Sequence, residues 1–119
     1  MHIGSIVIDC RAFDAMLAFW QAALHYEPRA PPRGGWVVLQ DPAGRHPNLS
    51  LNYAPERHQE RNRLHLDLYT NDRETEVQRL LALGATRHPQ TYDPEDDFRV
   101  LADPDGNLFC VVHKAPDAR

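Results

Sequence analysis

The chain has 119 residues, of which 25% are charged, and a formal net charge of −4 at pH 7. This length predicts a single domain with its own hydrophobic core, and the scattered lysines and arginines argue against a nucleic-acid partner. No apolar run approaches the ~20 residues of a membrane span, and the first residues lack a signal-peptide pattern, so we expect a cytoplasmic protein with no membrane partner. Cys10 and Cys110 are not spaced as a Cys-x-x-Cys pair, and we expect two reduced thiols.

The first half of the chain predicts a strand, a helix and three further strands. Apolar residues recur at three- and four-residue steps after the first strand, which is typical of an amphipathic helix. Phe19 and Trp20 on this helix are expected to pack in the core. A loop rich in proline and glycine, at 31–35, separates the last two strands from a short one. The predicted elements are a strand at 3–9, a helix at 13–24 and strands at 26–30, 36–40 and 48–53.

The second half predicts the same order of elements after a charged connection at 54–62. A strand at 63–69 alternates leucines with polar residues, which places His65 on the face opposite Leu64 and Leu66. Asp72 is a typical N-cap for the helix that follows, and Gly84 a typical stop. Further strands are predicted at 86–88, at 98–102 and after the turn at 103–107.

Two turn sequences mark the repetition. Asp41-Pro42-Ala43-Gly44 follows one apolar strand, and Asp103-Pro104-Asp105-Gly106 follows another 62 residues later. Proline presets φ and glycine tolerates a positive φ, so each sequence predicts a tight turn between two strands. The matching order of strands and helices on either side indicates a duplicated unit.

The sequence resembles the vicinal oxygen chelate superfamily, also called the glyoxalase, bleomycin-resistance and dioxygenase superfamily, and is most similar to its small glyoxalase-like domain branch. The resemblance implies an α+β fold of two βαβββ modules, at about 1–56 and 62–114. Their strands would form a curved, mixed, eight-stranded sheet around a central cleft, with the helices outside. The segments that carry the resemblance are Val7-Ile8-Asp9-Cys10, Leu17-Ala18-Phe19-Trp20, Arg63-Leu64-His65-Leu66-Asp67-Leu68, Leu83-Gly84-Ala85 and the run from Leu101 to Val112.

Metal-using members of this superfamily take one ligand from the first and one from the last strand of each module. By the motifs, those positions fall on Ser5, Ser50, His65 and Cys110, and only His65 is a customary ligand. Serine hydroxyls are poor ligands for zinc, nickel or iron, so the resemblance implies no cofactor at the usual site. The alternative is a divalent metal held by His65 and Cys110 alone, which lacks a third ligand.

Two functions follow from the resemblance. The first is a binding protein of the bleomycin-resistance kind, which holds a small molecule in the cleft. The predicted ligand-binding residues are Ser5, Trp36, Ser50, His65, Tyr69 and Cys110, with Tyr53 and Phe109 as further candidate walls. The second is a lyase, isomerase or dioxygenase-type enzyme that acts on a small carbonyl or vicinal-oxygen substrate.

In the enzyme alternative, His65 is the acid or base, and Ser5 and Ser50 orient the substrate oxygens. A nucleophilic Cys110 next to His65 would also need a third member that the sequence does not show. His65 as a hydrogen-bonded polar wall of the cleft is the simpler interpretation. The resemblance also implies a homodimer, for which the segment at 31–36 is the candidate apolar contact.

Overall fold

The structure, a computed structural model, describes residues 1–55 and 64–115. Most of the predicted connection at 54–62, together with the module boundaries at 56 and 62, lies outside these ranges. No helix in the described part is both long enough and apolar enough to cross a membrane. The elements are β1 (His2–Cys10), α1 (Phe13–Leu24), β2 (Glu27–Pro28), β3 (Trp36–Gln40), β4 (Asn48–Tyr53), β5 (Leu64–Thr70), α2 (Arg73–Ala82), β6 (Thr86–Arg87), β7 (Phe98–Ala102) and β8 (Leu108–His113).

All eight strands join one mixed sheet in the order β2-β3-β4-β1-β5-β8-β7-β6. β1 pairs with β4 in parallel and with β5 antiparallel, and β5 pairs with β8 in parallel. The second five elements therefore repeat the first five, and the two first strands meet at the centre. The predicted α+β fold of paired βαβββ modules is confirmed.

The local signals act as their chemistry predicts. The Asp72 carboxylate accepts a hydrogen bond from the backbone N–H of Thr75, which caps α2. Gly84 follows the helix with a φ of 117°, and Gly106 turns the last hairpin with a φ of 90°. The short strands β2 and β6 form the two edges of the sheet and are briefer than their predicted segments. In β2, Pro28 has no N–H to extend the ladder.

The hydrophobic core has two parts, one under each helix. The first contains Leu39 and Leu51, which are fully buried beneath α1. The second contains Val77 of α2 together with Leu101 and Val111. Each part uses only one face of the sheet, because side chains alternate along a strand. We call the face that carries the helices the outer face. The opposite, inner face does not contribute to these two core clusters.

The central strands expose apolar side chains where a core would be expected. Leu64 and Leu66 of β5 are 56% and 38% exposed, whereas Asp67 on the other face is buried. Trp20 packs against the first core cluster, but Phe19 is 60% exposed, so the expectation of a core position for Phe19 was wrong. The two short helices do not cover Leu64 and Leu66 at the centre of the outer face. On the inner face of the same strand, Asp67 is shielded from solvent.

Candidate functional site

A cavity of about 510 Å³ lies on the sheet face opposite the helices. Alternating side chains of β3, β4, β5, β7 and β8 line it, so its walls belong to both halves of the chain. Neighbouring loops contribute charged and amide groups at its margin. The lining residues are Arg29, Trp36, Asn52, His65, Asp67, Tyr69, Gln90, Asp97, Phe98, Val100, Cys110, Val112 and Lys114.

Three reactive side chains meet in this cavity. His65 and Asp67 stand two residues apart on β5 and so point to the same side, with His65 Nε2 3.4 Å from Asp67 Oδ1. Cys110 on β8 is the direct cross-strand partner of Asp67. The imidazole nitrogen, the carboxylate oxygen and the sulfur of these residues all lie within 4.8 Å of one another. We call His65, Asp67 and Cys110 the cavity triad.

Aromatic rings and a lysine surround the cavity triad. Tyr69 follows Asp67 on the same face of β5, and Lys114 Nζ lies 5.7 Å from the centre of its ring. Lys114 also forms an ion pair with Asp97, at 3.6 Å. Gly4 lies behind the Tyr69 ring so closely that a Cβ there would overlap it. The tyrosine ring is therefore held in place by the backbone of the neighbouring strand.

The structure brings together four of the six predicted ligand-binding residues. Trp36, His65, Tyr69 and Cys110 line the cavity. Ser5 and Ser50 are fully buried, and their hydroxyl oxygens lie 2.7 Å apart in a mutual hydrogen bond. Ser5 Oγ also donates to the Asn48 carbonyl, at 3.3 Å.

The two further candidate walls lie on the outer face. Tyr53 is 50% exposed there, and Phe109 packs against the second core cluster. Phe98, which sequence reasoning did not select, supplies an aromatic wall from β7. An aromatic residue in a strand is equally compatible with either face until the pairing of the strands is known.

Asp67 and Asn52 are the polar strand residues of the cavity that sequence reasoning missed, and Arg29, Gln90, Asp97 and Lys114 are further polar lining residues that it did not select. Asp67 carried a signal, because a residue two positions after His65 in a strand must share its face. Asn52 carried the same signal, because it lies two positions after Ser50, a predicted ligand-binding residue, in the strand at 48–53. Asp67 supplies the third group that His65 and Cys110 lacked in the sequence.

The four metal positions implied by the family do not form one site here. Ser5 and Ser50 satisfy each other, and a buried hydroxyl pair offers neither charge nor an open ligand atom. The cavity triad, in contrast, combines nitrogen, oxygen and sulfur donors that suit zinc. The other cysteine, Cys10, is buried on the helix side of the sheet, where burial and then Asp9 raise the pKa of its thiol.

Sequence comparison agrees with this architecture. The profile of the glyoxalase-like domain family matches residues 5–112, which is nearly the whole chain. The chain belongs to the glyoxalase-like domain family. This family lies within the glyoxalase/bleomycin resistance/dioxygenase superfamily, so the predicted resemblance is confirmed. No curated protein sequence matches the chain significantly.

Solved structures of low sequence identity share the fold of this glyoxalase-like domain. An NAD-dependent benzaldehyde dehydrogenase from Legionella pneumophila is 16% identical, with a TM-score of 0.67, and the match covers 91% of this chain and 96% of that one. A glyoxalase/bleomycin resistance protein/dioxygenase superfamily member from Vibrio splendidus 12B01 is 17% identical, with a TM-score of 0.61 and coverages of 90% and 94%. A Streptomyces coelicolor methylmalonyl-CoA epimerase, solved with 2-nitronate-propionyl-CoA, is 18% identical, with a TM-score of 0.64 and coverages of 94% and 96%.

Proposed function

We propose that this glyoxalase-like domain binds a small, planar, partly aromatic molecule in the cavity on the inner face of its sheet. The observation that carries this proposal is the composition of that cavity, in which aromatic rings stand around a compact polar centre. Its volume of about 510 Å³ lies within the range of about 300–1,000 Å³ typical of small-molecule sites. Binding of this kind needs affinity only, so no catalytic group is required.

The walls and the polar centre have separate roles in this proposal. Trp36, Tyr69 and Phe98 offer ring surfaces against which a planar ligand can stack. Asn52 and the cavity triad offer hydrogen-bond donors and acceptors that fix its orientation. A ligand with a flat apolar body and one polar end would satisfy both.

Tryptophan fluorescence is a direct test, because the chain has two tryptophans and only Trp36 lines the cavity. Replacing the other one, W20F, leaves Trp36 as the single reporter. Small phenols, aromatic amides and aromatic carboxylates are then titrated, with a thermal-unfolding shift as the second readout. We expect saturable quenching of the Trp36 fluorescence, together with weaker ligand-induced thermal stabilisation in the W36A variant.

The matched control is Y53A, which removes an exposed ring from the outer face of the sheet. Its effect on ligand-induced stabilisation should be absent. If no compound of these classes changes either readout, or if Y53A weakens binding as much as W36A does, the proposed cavity is not the binding site.

An enzyme that acts on a small carbonyl or vicinal-oxygen substrate is the second candidate. The position of Asp67 favours it, because the carboxylate adds a charged partner to His65 within the cavity. Dicarbonyls and catechols would be assayed for turnover, with H65A as the test variant and H88A, a half-exposed histidine outside the lining residues, as its control. Turnover that survives in H65A removes the catalytic role.

A further inference from the structure

A second cavity lies on the outer face of the sheet and shares no lining residue with the cavity on the inner face. It is bounded by the start of β1, the middle of β5 and the loop at 41–47 that joins β3 to β4, and we call it the outer cavity. Its volume is about 390 Å³, which lies within the range of about 300–1,000 Å³ typical of small-molecule sites. We propose that the outer cavity binds an aliphatic carboxylate, with the alkyl chain against the sheet and the carboxylate at Arg45. This site is separate from the one proposed above and does not depend on it.

The sheet side of the outer cavity is aliphatic. Ile6 of β1 and Leu66 of β5 are cross-strand partners, and Ile3 extends the same strip towards the start of β1. Ile3 is 50% exposed and Leu66 is 38% exposed. Covering such side chains with an apolar ligand removes their surface from water, which favours binding. Among the described lining residues there is no phenylalanine, tyrosine or tryptophan, so this cavity suits an alkyl chain and the inner one a flat ring.

Another side of the outer cavity is basic. Arg45 and His46 line it from the loop, His2 lines it from β1, and none of its described lining residues is acidic. In the part of the chain that the structure describes, Arg45 forms no ion pair, although the whole chain carries a net charge of −4. A guanidinium group stays charged and can bind a carboxylate through two parallel hydrogen bonds. The charge at this cavity therefore favours a ligand with an anionic end.

The loop that carries Arg45 is held in place by its own hydrogen bonds. The Asp41 carboxylate accepts from three backbone N–H groups of the loop, including that of Arg45, at 2.9–3.2 Å. The Tyr26 hydroxyl donates to the carbonyl of Pro47, at 2.9 Å. Asp41 is thus engaged with its own loop and is not among the described lining residues. A wall that is already ordered loses little conformational entropy when a ligand binds.

The basic loop occurs in only one of the two halves. The connection from the turn aspartate to the next strand runs over 41–47 in the first half and over 103–107 in the second, so the first is two residues longer. The longer connection places Arg45 and His46 after its glycine, where the shorter one has only Asn107. We therefore expect one carboxylate per chain.

Octanoate is the probe, with acetate and octan-1-ol as controls that keep only its charge or only its chain. Isothermal titration calorimetry should show one equivalent of octanoate bound, and weaker binding of both controls. R45Q should weaken octanoate binding by roughly tenfold, because it removes the charged partner of the carboxylate. R87Q changes an exposed arginine of β6 outside this cavity and should leave the affinity unchanged.

A matched pair of leucine variants tests the aliphatic side. Leu64 and Leu66 are both partly exposed on the outer face of β5, two positions apart, and of the two it is Leu66 that lines the outer cavity. L66A should weaken octanoate binding by roughly three- to tenfold through the lost apolar contact, and L64A should not.

An NMR titration of the unmodified protein does not depend on a variant folding. Octanoate should shift the backbone amide signals of Ile3, Ile6 and Gly44, and leave those of Tyr69 and Cys110 at the inner cavity in place. Absence of saturable octanoate binding, equal affinity for octanoate and octan-1-ol, unchanged affinity in R45Q, or shifts confined to the inner cavity would each overturn the proposal. None of these results would bear on the binding of aromatic ligands at the inner cavity.

Discussion

Asp67 and Cys110 face each other across β5 and β8, in the same relationship that Val7 and Ser50 have across β1 and β4. The two halves thus place equivalent positions on the same inner face and fill them with different chemistry. In the first half, Ser50 is buried and forms a hydrogen bond with Ser5. The other presents a carboxylate and a thiol to a cavity.

The serine pair should contribute to stability and not to ligand binding. Removing one hydroxyl in S5A leaves Ser50 buried without that partner, which costs about 1–3 kcal/mol. The double variant S5A/S50A should lose less than the sum of the two single losses, because the two residues share one hydrogen bond. Urea unfolding of the four proteins measures this cycle, and strictly additive losses would show that the pair is not coupled.

Gly4 should control the position of Tyr69. A Cβ in G4A would overlap the tyrosine ring, and overpacking of this kind typically costs about 1–3 kcal/mol. G4A should therefore destabilise the Y69A variant less than it destabilises the unmodified protein, because Y69A has no ring for the new Cβ to overlap. Thermal unfolding gives the comparison, and because Gly4 does not have a positive φ, the cost of G4A reports the overlap and not backbone strain. If G4A lowers the stability of Y69A as much as that of the unmodified protein, the contact between Gly4 and the Tyr69 ring is contradicted.

The last hairpin should become less stable in acid through Asp103. Its carboxylate accepts from the Asn107 side chain, at 3.0 Å, and from the Asn107 and Asp105 backbone N–H groups, at 2.8 and 3.0 Å. These bonds, the Asn107 side chain first, lower the pKa of Asp103. A carboxylate whose pKa is lower in the folded state stabilises the fold above its ordinary pKa, near 4, and loses that contribution as the pH falls through the folded value.

Comparison of D103N with D105N tests this effect of acid. D103N should unfold at lower urea than the unmodified protein at pH 7, and the gap should narrow by pH 3. D105N changes an exposed carboxylate of the same turn and should show a smaller gap at both pH values. If the difference in urea midpoint between D103N and the unmodified protein is the same at pH 7 and pH 3, the ionised carboxylate of Asp103 does not stabilise the hairpin.

The two cysteines should differ in reactivity in the metal-free protein. Burial and the nearby Asp9 raise the pKa of Cys10, so less reactive thiolate is present there at pH 8. Cys110 lies at a cavity and is half-buried. With a chelator present, mass spectrometry should find Cys110 alkylated about tenfold faster or more than Cys10. Equal rates would show that Cys10 is far more accessible than its buried position indicates.

Local chemistry accounts for the parts of the fold that were predicted from the sequence. The apolar periodicity of 13–24, the capping Asp72 and the turn glycines act within a few residues of themselves, so no tertiary contact is needed to predict them. The repeated order of elements then indicated the paired modules. The exposure of Phe19 was not predicted from the periodicity, because a helix that covers a narrow strip of sheet leaves the side chains on its flanks in water.

The sequence by itself determined the elements, their order and the residue types available for a site. Alternation along β5 determined that His65 and Asp67 share a face. Only the tertiary structure showed that this face lines the cavity and that Cys110 is paired with Asp67 on the neighbouring strand. It also showed that Ser5 forms a hydrogen bond with Ser50. The physical reason is that a strand's period of two sorts side chains into two faces, while the pairings that join the central strands β4, β1, β5 and β8 connect residues about 40 or more positions apart along the chain.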